Sequence, residues 1–190
     1  MTIDDEAIDG LVAAAQQGDP EAFGALFDRF YGPVYRYVAA RVGRPSDAED
    51  LAQLVFVKAL EALPRYEARG IPFGGWLFRL ARNVVIDHIR TRREHATLDV
   101  VAERPDSEDG PDELALLRQE LDSVALALRR LTPEQREAVE LRFFAGLSAK
   151  EAAIAMGRQE GTVRGLQYRA IAALRREVGI ADPASQLPRV

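Results

Sequence analysis

Apolar residues recur at spacings of three and four along almost the whole chain, and the alternation that marks a half-buried strand is missing. Ile8, Leu11, Val12 and Ala15 make a first stripe, closed by Gly18. Asp19-Pro20, a capping residue followed by proline in the first turn, opens a second through Phe23, Leu26, Phe27, Phe30, Val34 and Val38. Ser46 with Glu49 has the spacing of a capping box and predicts a third helix to about Leu63. After the irregular stretch Pro64–Pro72, a helix is predicted over 74–92 with Trp76, Leu77, Leu80, Val84 and Ile89 on its core side. Periodicity then fails from 94 to 113, where two prolines, a glycine and eight carboxylates predict a flexible, self-repelling linker. It resumes over 114–131. Thr132-Pro133-Glu134-Gln135 then supplies a cap, a first-turn proline and a glutamine at the third position for a helix to about Phe144. The expected fold class is all-α: two small helical domains, 1–93 and 114–178, joined by a flexible acidic linker at 94–113 and followed by a loose tail at 179–190.

Within the second domain, Ser148 to Arg169 has the local grammar of a helix-turn-helix. Ser148 and Glu151 form a capping box, Ala152, Ala153, Ile154 and Met156 give an apolar face, and Gly157 offers a left-handed stop. A second helix opens near Glu160. Val163, Leu166, Ala170, Ala173 and Leu174 take its core side, and Arg164, Tyr168 and Arg169 the other, with Gly165 between. Two short helices, the second with arginines outward, suit docking in a major groove.

A net charge of −5 argues against nucleic acid only until it is divided along the chain. Residues 1–17 carry four acids and no base, and 94–113 carry eight acids against Arg104 alone. Residues 18–93 and 114–190 each carry 12 basic against 9 acidic side chains, so two mildly basic blocks are separated by acidic segments. Phosphates meet this local charge, not the total. With no cysteine and only two histidines, the chain offers no disulfide, thiolate metal site or histidine cluster. The acidic N-terminus and the lack of a long apolar run predict neither a signal peptide nor membrane insertion, hence a cytoplasmic protein.

Two further surfaces stand out. Residues 73–93 interleave a core stripe with Arg79, Arg82, Asn83, His88, Arg90, Arg92 and Arg93, giving phosphate contacts and an amide able to read a base edge. Asp47, Glu49 and Asp50, with Gln53, Phe56 and Lys58, form an acidic helix start, which either complements the helix dipole or docks a basic protein. Phe56 lies between Val55 and Val57, so one of the three must point away from the core.

Taken together, these stretches resemble the bacterial sigma-70 superfamily in its short extracytoplasmic-function (ECF, group IV) form, over about residues 8–178. Gly18-Asp19-Pro20-Glu21-Ala22-Phe23 resembles the opening of region 2, and Asp47–Gln53 with Val55–Ala59 resembles its polymerase-docking segment. Trp76–Asn83 with Asp87 resembles the helix that engages the −10 element. Leu131–Arg136 resembles the start of region 4, and Gly161-Thr162-Val163-Arg164 the start of its −35 reading helix.

The resemblance implies roles residue by residue. Asp47, Asp50, Gln53 and Phe56 become polymerase-docking residues. Arg79, Arg82, Asn83 and Arg90, with Arg65, Tyr66 and Arg69 in the loop that captures a flipped base, become −10 contacts. Arg164, Gly165, Tyr168 and Arg169 become −35 contacts. Core RNA polymerase (the β′ clamp coiled coil and the β flap) and promoter DNA are the implied partners, with an anti-sigma factor as a further candidate. No catalytic residue, metal or cofactor is implied. The sequence departs from the family at Leu54, where glutamate is frequent, at Gly165, where serine is, and at Leu166, where arginine is. A stand-alone helix-turn-helix regulator is the alternative reading. It would need a dimer surface or sensor domain, for which residues 1–93 show neither a heptad seam nor a ligand-pocket signature.

Overall fold

The computed structural model describes residues 3–42, 44–68, 70–96, 128 and 130–177. Every regular element among them is helical: α1 (Ile3–Gln16), α2 (Pro20–Val42), α3 (Pro45–Ala62), a 3-10 turn (Leu63–Arg65), α4 (Phe73–Ala96), α5 (Pro133–Val139), a π-helical segment (Glu140–Phe144), α6 (Ala149–Met156) and α7 (Glu160–Glu177). Helix α4 continues through 94–96, past the expected start of the linker. The rest of the 94–113 linker, most of the 114–131 helix and the tail from 179 lie outside the described residues.

The helix ends follow local chemistry with one exception. Both boxes of the second half form: Thr132 Oγ1 accepts from the Gln135 N–H at 3.3 Å and Ser148 Oγ from the Glu151 N–H at 3.2 Å, while each partner side chain accepts from the cap residue's N–H. Gly157 ends α6 with φ 64°, a left-handed geometry that costs glycine nothing. The Ser46–Glu49 box does not form. Arg44 takes the cap position with extended backbone and Pro45 the first turn, so proline's fixed φ sets the start of α3 without a side-chain cap.

Helices α2, α3 and α4 build the first half around fully buried Leu26, Val34, Tyr37, Val38, Val55, Leu77, Phe78 and Val85. Each such side chain stabilises the fold by roughly 1.5–3 kcal/mol relative to exposure. Leu80 and Trp76, expected in the core, are half-buried at its margin, Trp76 with its ring 4.8 Å from Tyr66 and 5.4 Å from Phe73. Gln16 of α1 donates to the carbonyls of Leu63 and Tyr66 at 2.9 and 2.7 Å, tying the 3-10 turn to the bundle.

Helices α5 to α7 build the second half, and its core is continuous with that of the first. Ala138, Leu141, Leu147, Ala152, Ala153, Met156, Val163 and Leu166 belong to the same buried cluster as the α2–α4 residues. Leu131, Val139 and Ala170 form a small separate patch. The closest approach is between α4 and α6. A Cβ on Gly75 would lie 3.2 Å from Ile154 Cβ and 3.3 Å from Glu151 Cα, and one on Gly74 would overlap the Glu151 carboxylate. The Gly74-Gly75 pair is therefore what lets the two helices meet.

Candidate nucleic-acid interface

Helix α4 turns its apolar stripe inward and leaves Arg79, Asn83 and Arg90 exposed. Their spacing of four and seven residues brings them onto one face. Arg90 Nη2 lies 3.4 Å from Asp87 Oδ1, an exposed pair of small energetic weight. Arg82 points elsewhere. Its Nε donates to Glu137 Oε1 at 2.7 Å, and that carboxylate, 8% exposed, also lies 3.3 Å from Arg41 Nη1.

The loop before α4 is partly core. Tyr66 is buried, with its hydroxyl donating to the Ile71 carbonyl at 2.6 Å, and burial, then the nearby Asp9 charge, push the phenol up to about 12. Its ring is thus engaged with Phe73 and Trp76, while Arg65 is exposed. Arg69 lies outside the described residues.

On α7, Arg164, Tyr168 and Arg169 are exposed, Tyr168 at 72%. Arg164 donates twice to Glu160 Oε1, at 3.0 and 2.6 Å, one helical turn back. With Gln167, Ile171 and Arg142, Arg164 and Tyr168 border a shallow groove. A Cβ on Gly165 would meet only the Arg169 guanidinium, 3.6 Å away, so a serine would fit there. Leu166 is buried, so this position contributes packing and not a phosphate contact.

The acidic face of α3 is divided. Asp50 and Gln53 are exposed, whereas Asp47 is half-buried, with Oδ2 3.3 Å from Arg92 Nη1 and 3.8 Å from His88 Nε2. Phe56 is 4% exposed, its ring 4.7 Å from Phe27 and 6.2 Å from Tyr31, and Val57 is the member of the Val55–Val57 triplet that points out. Gln53, Phe56, Val57 and Leu60 line an open apolar groove with Phe23, Phe27 and Tyr31. Leu54, next to Gln53 in the chain, is exposed.

Sequence reasoning missed the residues that join the halves. Glu137 and Glu140 are buried polar groups on the apolar side of their helix, and Glu140 Oε2 lies 3.2 Å from Arg41 Nη1 without a well-directed hydrogen bond. Burial pushes the Glu140 carboxyl up to about 7; Arg41 and Arg136 pull it down and Glu137 adds to the rise. Burial works against the Arg41 charge, but Tyr37, Glu140 and Glu137 overcome it and hold its pKa raised. The only sequence signal was that Glu137 and Glu140 fall three apart among Ala138, Val139 and Leu141.

Two family profiles match these bodies in order, Sigma-70 region 2 over residues 26–95 and Sigma-70, region 4 over residues 121–174. The chain belongs to the sigma-70 family of RNA polymerase sigma factors. Its relatives are of the ECF branch. It is 41% identical over 170 residues to the ECF RNA polymerase sigma factor BldN of Streptomyces coelicolor, covering 87% of this chain and 64% of BldN. It is 36% identical over 184 residues to the ECF sigma factor SigD of Mycobacterium tuberculosis, covering 94% and 87%. Among solved structures, CnrH in complex with the cytosolic domain of CnrY matches with a TM-score of 0.70 at 28% identity, over 93% of this chain and 99% of that one. No helix among the described residues is long and apolar enough to cross a membrane.

Proposed function

We propose that the chain directs core RNA polymerase to a two-element promoter, with α4 reading the −10 element and α7 the −35 element. The observation that carries this reading is the pairing of two outward faces on one chain: Arg79, Asn83 and Arg90 on α4, and Arg164, Tyr168 and Arg169 on α7. Each face is small. Two such weak contacts gain by being tethered in one complex, so binding to DNA is expected with polymerase and not without it. Melting costs about 1.4 kcal/mol per stacked step, repaid by binding the separated bases, so no bond-breaking chemistry by this chain is required. The groove of Gln53, Val57 and Leu60, with exposed Asp50 about one turn earlier on α3, is the proposed seat for polymerase. Buried Phe56 supports its floor. The reading places the chain in the cytoplasm with its polymerase, and an anti-sigma protein is proposed as a further partner because CnrH is found in complex with the cytosolic domain of CnrY.

The test is reconstitution: purified chain, bacterial core polymerase and a promoter library, with the products sequenced. Run-off transcription from templates sharing two motifs is the expected result. Tight, sequence-specific binding by the chain alone, together with no association with core, would favour a stand-alone helix-turn-helix regulator and refute the reading.

A further inference from the structure

The groove on α7 holds a side chain that the promoter contacts leave unexplained. Arg164, Gln167, Tyr168 and Ile171 follow one another at intervals of three, one and three, so they share one side of the helix, and Arg142 of the π-helical segment borders the same groove. Arg142 Nε donates to Gln167 Oε1 at 3.0 Å. Its Nη1 donates to the Leu147 carbonyl in the turn before α6, and the Leu147 N–H donates back to the Leu141 carbonyl at 3.0 Å. Gly146, with φ 73°, supplies the left-handed reversal in that turn. One guanidinium therefore ties α7 to the turn, and the turn ties back to the residue before the arginine. Both Arg142 and Gln167 are half-buried, so neither swings as an exposed side chain would.

The chemistry of the pair fixes how the amide is turned. Arginine carries only donors, so Gln167 must give Arg142 its oxygen, and the end left for the groove is the NH2. A free glutamine presents both ends and reads adenine by accepting from N6 and donating to N7. One whose oxygen is held presents donors alone. In the major groove guanine and thymine show a carbonyl, O6 or O4, whereas adenine and cytosine show an amino group. Adenine N7 still accepts, but the N6 amino group beside it meets the amide donor to donor. Tyr168, 72% exposed on the same side, has a hydroxyl that both donates and accepts and so draws no such distinction. We propose that Arg142 is a positioning residue that makes Gln167 a donor-only reader in the −35 element, favouring a keto base (guanine or thymine) over an amino base at the position it meets. This rests on the reading role proposed above for α7.

The experiment is transcription by the full chain with core polymerase from templates randomised across the −35 region, with the products sequenced. Wild type should favour keto over amino bases about tenfold at one position, the scale of a well-made base contact. Gln167→Glu keeps an acceptor for Arg142 but has no donor, so that position should lose its keto preference and cytosine should gain about tenfold. Arg142→Leu frees the amide, and adenine should gain about tenfold at the same position. A merely structural role gives a different pattern, because a loosened α7 weakens every −35 position alike and a released amide changes one. Arg164→Ala in the same assay tests α7 itself. A −35 motif that weakens in Arg164→Ala, yet keeps its preferred base at every position in both Gln167→Glu and Arg142→Leu, would overturn the donor-only reader, and so would uniform weakening without a changed base. Products that share no −35 motif, with Arg164→Ala equal to wild type, would refute the −35 role of α7 and this inference with it.

Discussion

Glu140 should make the folded chain more stable at pH 6 than at pH 8, and Glu140→Gln should remove most of that difference. The carboxyl is 2% exposed, faces Arg41 of α2 and Arg136 and Glu137 of α5, and has one oxygen without a hydrogen bond. Burial raises it from 4.5 to about 7. The sign follows from proton counting: between these values the folded chain holds a proton that the unfolded chain has lost, so stability falls as pH rises through the window and levels off above it. At about 1.4 kcal/mol for each tenfold change in proton affinity, the whole window is worth roughly 3 kcal/mol at most. The part between pH 8 and pH 6 is about 1.4 kcal/mol, or roughly 3–6 °C in melting temperature for a chain of this size. Circular dichroism melts at fixed ionic strength, for wild type and Glu140→Gln at both pH values, read the effect as a difference of differences. Contributions common to both proteins cancel in that comparison. The variant should be the more stable protein at pH 8, because it keeps the shape of the neutral acid without the buried charge. Parallel pH profiles, or a variant less stable than wild type at pH 8, would refute the reasoning.

Other substitutions probe separate features. Gly75→Val should cost about 1–3 kcal/mol by overpacking the α4–α6 contact, with amide exchange accelerating first in α6, whereas Gly165→Ser, in open space, should stay within about 0.5 kcal/mol in the same urea titration. Ser148→Ala should cost about 1 kcal/mol through loss of the α6 cap, measured by chemical denaturation. Val57→Asp should leave the melting temperature within a degree or two and weaken binding to core polymerase at least about tenfold, as a charge placed in an apolar contact; unchanged binding would remove the α2–α3 groove from the docking surface.

How much of this was legible in the sequence depended on how local its cause was. The α6–α7 unit could be read because Ser148, Glu151 and Gly157 act within one turn of themselves, and Thr132 with Gln135 likewise. The start of α3 was misread because two local signals competed, and the rigid ring of Pro45 prevailed over the Ser46–Glu49 pair. The π-helical segment left no mark, since its defining bond, Ala145 N–H to the Glu140 carbonyl at 3.0 Å, differs from an α-helical one by a single residue of register. Arg82 looked like its neighbours Arg79 and Arg90 because its partner stands 55 positions away, beyond any helical period. Gly74-Gly75 sits in the first turn of α4, and nothing near it in the chain tells which helix it makes room for.

A buried cluster running unbroken from α2 through α7 also bears on how long the protein lasts. While the halves are packed they share one cooperative unit, and a protease must wait for that whole unit to open. Each half by itself would keep only a smaller interior and would expose Ala, Leu and Met side chains that the packed arrangement covers. Durability is therefore a property of the two halves together, and a change at the α4–α6 contact is felt by the interior of both.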